Sequence, residues 1–160
     1  MAKVHQGRYT AGMDGEFVVF IIGMRFNKLW KVHKWLPVFV AMPKMLRVLQ
    51  QNPDRGLLHV RQTFAGRTIT TIQYWRSFEH LERFARDAND PHLEPWRNFN
   101  KKVGASGDVG VFHETFKVLP GNYESIYSNM PTMGLAAAGT HLSVTEARDA
   151  ARQRMAESVA

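Results

Sequence analysis

The sequence predicts an α+β fold of the ferredoxin-like split β-α-β type, an antiparallel sheet with its own helices on one face. Three observations predict it. Strand-like and helix-like stretches follow in the order strand, helix, strand, strand, helix, strand. The first strand is apolar on both faces, and a tight turn joins the middle pair.

Residues Glu16 to Phe26 read as the first strand. Val18, Phe20, Ile22 and Met24 fall on one face and Phe17, Val19 and Ile21 on the other, as in a strand buried on both sides. Trp35 to Gln51 reads as a helix with Phe39, Met42, Leu46 and Leu49 on one stripe. Pro37 suits its first turn, Pro43 predicts a kink or restart, and Asn52-Pro53-Asp54-Arg55-Gly56 ends it. Leu57 to Phe64 and Thr68 to Trp75 form a hairpin around Ala65-Gly66-Arg67.

Ser77 is a good N-cap for the second helix, whose Phe78, Leu81, Phe84 and Ala85 form the buried stripe, with His80 off it and exposed. A short helix starts at Asp90 or Glu94 and turns Trp96, Phe99 and Val103 inward. Gly104 to Asp108 is a loop and Val109 to Val118 the last strand. Beyond Gly134 lies an alanine-rich stretch. The capping-box pattern Ser143-Val144-Thr145-Glu146 follows and leads into a polar, helix-forming run. The chain thus divides into a domain over residues 1–135 and a partly helical tail over 136–160.

A sheet covers one face with its own helices, so the second apolar face needs a ligand or a partner. A homodimer formed sheet to sheet is the economical answer.

Composition narrows the function. The 160 residues contain no cysteine, which excludes disulfides, zinc-thiolate sites and thiol nucleophiles, and fits a cytoplasmic protein. The start lacks the apolar run of a signal peptide, and Phe17 to Gly23 is too short to span a bilayer. No membrane partner is expected. The formal charge is +7, yet no nucleic-acid motif accompanies it, and no nucleic-acid partner is expected. Arg25, Lys28, Lys31 and Lys34 recur every third residue through a loop. That spacing could aim several cations at one anion, while charge counting favours a solvated basic rim.

Two histidines stand out. His92 lies in Asn89-Asp90-Pro91-His92-Leu93-Glu94-Pro95-Trp96, where two prolines restrict the backbone. His113 lies inside a strand, in Val111-Phe112-His113-Glu114-Thr115. A pre-positioned imidazole with a second one nearby suits an iron cofactor or acid–base chemistry. The alternative for His113 is a satisfied core residue. It shares a strand face with Val109, Val111 and Thr115. If that face lines the barrel cavity His113 points at the pocket; if it faces the helices, the role fails.

Three stretches resemble the monooxygenase-like family within the antibiotic-biosynthesis-monooxygenase superfamily of dimeric α+β barrels. They are Gly15 to Arg25, Gln73-Tyr74-Trp75-Arg76-Ser77-Phe78-Glu79 and Gly107 to Thr115, and the resemblance spans roughly Arg8 to Leu135. It implies a homodimeric barrel domain and oxidation of a small apolar or polyene-like substrate, neutral or anionic. Tyr74-Trp75-Arg76-Ser77 through His92-Leu93, then His113-Glu114 and Tyr123-Glu124, also resembles the C-terminal half of haem-containing aldoxime dehydratases. That similarity implies a b-type haem with His92 as proximal iron ligand and His113 as the catalytic residue of the distal pocket. Those dehydratases use a serine upstream of the proximal histidine to bind the oxime. Here the serine before His92 is Ser77, already wanted as a cap, which argues against aldoxime dehydration.

In the haem reading, Trp75, Trp96, Phe99, Phe112 and Met24 supply apolar walls, and Arg25, Lys28 or Arg76 meets the propionates. In a cofactor-free monooxygenase, His113 is the base, assisted by Tyr74 or by Glu114, although alternation turns Glu114 to the opposite face. Core packing is the competing role for both tryptophans. A non-catalytic protein that binds haem or an apolar ligand is the third reading.

Overall fold

The computed structural model describes residues 2–86, 106–145 and 149–157. Its centre is a four-stranded antiparallel sheet built from β2 (Phe17–Phe26), β3 (Leu57–Ala65), β4 (Thr68–Trp75) and β5 (Val109–Val118), ordered β3-β4-β2-β5. With α1 (Val32–Gln51) and α2 (Phe78–Arg86) the chain order is the expected split β-α-β. β2 and β4 are central, so β2 is apolar on both faces because both are covered for at least part of its length.

Register assigns those faces. Phe20, Ile22 and Met24 of β2 stand opposite Gln73, Thr71 and Ile69 of β4 and opposite Thr115, His113 and Val111 of β5. These rows face α1 and α2. At one end of this layer Val18, Leu49, Trp75, Leu81 and Phe84 pack together, and at the other Met24, Ile69 and Val109 pack with Trp35 and Phe39. Burying a large apolar side chain in such a cluster contributes about 1.5–3 kcal/mol.

α1 begins three residues earlier than the stripe suggests and runs unbroken through Pro37 and Pro43. Both prolines lie on its exposed side, where water can hydrate the carbonyls left without a helical N–H. The restart offered at Pro43 is therefore absent. Ser77 caps α2 as expected, its Oγ accepting from the His80 backbone N–H at 3.4 Å. The same hydroxyl pairs with His80 Nδ1 at 2.9 Å, and the ring is half-buried rather than exposed.

A second sheet was not expected. β1 (Val4–Gly12) pairs with both β6 (Tyr127–Pro131) and β7 (Thr140–Ser143), ordered β6-β1-β7. Together with the short α3 (Leu135–Ala138), it covers one end of the other face of the main sheet. There Phe17, Tyr123, Leu135 and Ala136 pack with Val19, Tyr74 and Val118. Ser143 ends a strand instead of capping a helix, and the last helix, α4 (Ala151–Glu157), starts later than the capping box suggests. A division at residue 135 runs through these contacts, since β7 lies beside β1 and Arg154 donates from Nε to Glu124 Oε2 at 2.9 Å. Among the described residues no helix is long and apolar enough to cross a membrane.

The basic loop resolves into one unit. Asp108 is 1% exposed, and Lys28, Lys31 and Lys34 reach its carboxylate at 2.7, 2.9 and 2.9 Å. The three-residue spacing does gather cations on one anion, and the anion is the protein's own. The solvated rim that charge counting favours is overturned for these lysines. Arg25 stands apart, donating from Nε to Asn27 Oδ1 at 3.2 Å.

Candidate functional site

Between the sheet and its two helices lies a cavity of about 620 Å³, within the usual size range of small-molecule sites. Strand alternation builds its floor: Phe20, Ile22 and Met24 from β2, Ile69, Thr71 and Gln73 from β4, and Val111, His113 and Thr115 from β5, with Gln62 beyond them on β3. α1 supplies Val38, Phe39, Met42 and Met45 above this floor, and α2 supplies Phe78, Leu81, Glu82, Phe84 and Ala85. Methionines adapt their shape to irregular ligands. Phe78 and Ala85, expected in the buried stripe of α2, are exposed and line this opening instead.

His113 is the one histidine among the described lining residues. β5 is an edge strand of the sheet and the imidazole is exposed, so His113 is not the satisfied core residue that was the alternative. Its ring lies 5.7 Å from that of Phe20, centroid to centroid. His113 stands on the helix-facing side of the sheet, so the expected placement on a barrel-cavity face away from the helices fails; the cavity it does line is the one between sheet and helices. The other described histidines sit elsewhere. His5 and His141 adjoin Tyr9 in the small sheet, with Tyr9 and His141 stacked at 4.3 Å. Burial, then the nearby His5, lowers the pKa of His141.

The remaining expected site residues divide. Met24 lines the cavity. Phe112 borders it, but pairs with Gly23 on the far face and lays its ring over that glycine. Trp75 is fully buried in the core cluster and does not appear in the lining, so its role is packing, not a cofactor wall. Arg25 points to the face opposite Met24 and is also absent from the lining, so it cannot meet a propionate there. His92 and Trp96 lie outside the described residues, as does Phe99.

Neither proposed assistant shares the sheet face of His113. Glu114 pairs with Ile21 on the far face, as alternation foretold. Tyr74 also lies on the far face, packed against the small-sheet cluster. Burial raises its pKa, the nearby Tyr127 adds to the rise, and Arg61 opposes it. His59 stands beside Tyr74 at 6.3 Å between ring centroids, its pKa lowered by burial.

Sequence reasoning missed Thr71, Gln73, Gln62 and Glu82. The signal was present in β4, whose burial alternates residue by residue and places Thr71 and Gln73 in line with Ile69. Among the described residues no cluster of three metal-ligating side chains occurs. A second hollow of about 330 Å³, between Arg8, Val144, Thr145 and Asp149, is crossed by the Arg8–Asp149 ion pair and lies away from these groups.

The profile of the family described as monooxygenase af470-like matches residues 17–135, which hold the described cavity floor and helices. A curated relative, Monooxygenase af470 of Aspergillus fumigatus, is 32% identical over 157 aligned positions, covering 81% of this chain. The match covers 53% of the relative, so the chain spans about half its length. Among solved structures, an aldoxime dehydratase in complex with butyraldoxime superposes with a TM-score of 0.63 at 14% identity, covering 96% of this chain and 44% of that one. That likeness shows the fold, the α+β subunit of the dimeric-barrel class. Rv0793 from Mycobacterium tuberculosis matches with a TM-score of 0.44 at 15% identity, over 64% of this chain and 95% of that one.

Proposed function

Because the chain belongs to the monooxygenase af470-like family, we propose that the cavity is a monooxygenase site for a small apolar, polyene-like substrate. His113 is the group that moves the reacting proton. The carrying observation is its position, an imidazole on a floor of Phe20, Ile22, Met24 and Val111 beneath Met42 and Met45. The apolar wall displaces water from the substrate, and the ring is placed to touch it.

The described residues support a cofactor-free reaction most directly. An imidazole nitrogen of His113 takes a proton from a CH₂ carbon acid beside a conjugated system. The substrate's electrons pass to dioxygen. One oxygen atom remains on that carbon as a carbonyl, and the other leaves as water with the two hydrogens.

A haem-dependent reaction in the same cavity is the second reading, favoured by the breadth of the apolar lining. The lining fits the apolar faces of the macrocycle, and His92 would hold the iron as the sequence resemblance implies. Bound haem would supply activation of oxygen or peroxide, with His113 exchanging protons nearby. The charge of the described lining does not fit, because Glu82 is its one charged residue and two propionates call for cations.

Colour separates the two. A Soret band in the purified protein, lost in His92→Ala and restored by imidazole, supports haem. A protein that stays colourless with hemin, yet consumes dioxygen with substrate, supports the cofactor-free reaction. Tight binding of polyene acids without turnover in either state would overturn the enzyme reading in favour of a carrier.

The reading includes a homodimer. On the sheet face away from α1 and α2, Phe112 and Phe116 are 40% and 49% exposed beside Ile21 and Ile72. The small sheet covers only the end near Phe17. A second copy across the open part would bury these side chains and leave both cavities on the outer, helical sides.

A further inference from the structure

Gln73 is 1% exposed and lies on the cavity floor. Its two amide atoms are not equivalent. Trp75 Nε1–H, which can only donate, reaches Gln73 Oε1 at 2.9 Å. That bond turns Oε1 toward the indole and directs Nε2 away from it. Nε2 carries two N–H donors, is shielded from solvent, and has no hydrogen-bond partner. Trp75 is enclosed by Val18, Leu49, Leu81 and Phe84, so it cannot swing aside to let the amide turn over. A buried donor left unmatched is costly, and Gln73 sits where a cavity occupant would relieve that cost.

We propose that Gln73 Nε2 is the hydrogen-bond donor by which this cavity recognises a carbonyl oxygen on an otherwise apolar ligand. Trp75 acts as a positioning residue that holds the amide in its donating orientation. The inference deepens the monooxygenase reading and rests on the same cavity being its site. It also sets the ligand's direction. Gln73 and Thr115 flank Phe20 across the sheet, and the His113 ring lies against Phe20. β4 and β5 are two strand spacings apart, about 10 Å. A carbonyl held at Gln73 therefore sends the carbon skeleton over Phe20 and presents a remote carbon to His113. The ligand class is an unsaturated acid, ester or ketone whose carbonyl is the handle and whose distant end reacts.

The test uses methyl sorbate, a conjugated dienoyl ester, and a carbonyl-free triene hydrocarbon as binding probes for the full chain. Calorimetry gives affinity, and isotope-edited infrared spectroscopy reads the ester C=O stretch. The wild-type protein should lower that stretch, as a hydrogen bond to the oxygen does. Gln73→Leu should abolish the shift and weaken ester binding by about five- to tenfold, leaving triene binding unchanged. Gln73→Met keeps the length of the side chain and has no N–H to donate, so it should also lose the shift. Trp75→Phe frees the amide and should broaden the band into bonded and free populations. An unchanged stretch and affinity in both folded Gln73 variants would overturn the proposal, as would wild-type protein binding the triene as tightly as the ester. If Gln73 variants lose the shift while no candidate is oxidised, the carbonyl site stands and the monooxygenase reading fails. If His113→Ala loses turnover while Gln73 variants keep the shift, the reverse holds.

Discussion

Ile22 and His113 are register partners on adjacent antiparallel strands, so the imidazole shares a sheet face with the apolar residues of β2. The consequence is chemical. An imidazole sits at the edge of an apolar floor, lining the cavity while still exposed on the edge strand β5.

His113→Ala should leave the fold intact, because the ring is exposed and contributes little to the core. Turnover should fall by about 10²–10⁴-fold, the usual cost of losing a general acid–base group. Steady-state oxygen consumption checks this, with circular dichroism confirming the fold. Unaltered turnover per folded molecule would remove His113 from the mechanism.

Asp108→Asn should lower the melting temperature more than Lys28→Ala, Lys31→Ala or Lys34→Ala alone. The carboxylate is the shared partner, and without it three ammonium groups repel one another. Hydrogen bonds from the three lysines hold the Asp108 carboxyl well below the usual carboxylate range, against the opposing effect of burial. A depressed folded pKa contributes stability that is complete above the unfolded value, about 3.9, and is lost as pH falls from there toward the folded value. Urea melts across the acid range should show a steeper loss in wild type than in Asp108→Asn. Parallel pH profiles would count against it.

Gly23→Ala should destabilise the fold by about 1–3 kcal/mol through overpacking. A Cβ there would stand 2.5 Å from Phe112 Cε1 and 2.7 Å from the Ile69 carbonyl oxygen. Phe112 could shift but the strand carbonyl cannot, so Phe112→Ala in the same chain should rescue only part of the loss. Denaturant titration of the single and double variants decides.

Phe116→Glu should shift the proposed dimer toward monomer in sedimentation equilibrium, since it places a charge on the open apolar face. Dimers of undiminished strength would move the interface elsewhere on the molecule.

Much of this was legible in the residues. Alternation in Val18 to Met24 and in Val109 to Thr115 is a local property, so those strands and their faces could be read directly. β1 could not. His5, Gln6, Gly7 and Arg8 offer no apolar stripe, and the strand is held by partners more than a hundred residues away, as in the bond from the Gly7 N–H to Asn129 Oδ1. Arg25 was misread because four basic residues at equal spacing look alike in one dimension. A strand ends near Phe26, and Arg25 points from it while the lysines curl back toward Asp108. Trp75 looked like a pocket wall, and burial assigns it to the core. Gln73 opens one of the family-like stretches yet was given no role, because its significance depends on an indole two residues along the same strand.

The placement of β1 has a consequence for synthesis. Both neighbours of this strand belong to the last third of the chain, at residues 127–131 and 140–143. Emerging from the ribosome, the segment must wait, unpaired, until residues 127–143 have been made, whereas the strands of the central sheet all precede those residues. Its Gly7 and Arg8 interrupt what would otherwise be a sticky edge during that interval. The small sheet thus closes around the central one: β1 precedes its four strands in the chain and is fastened by two strands that follow them.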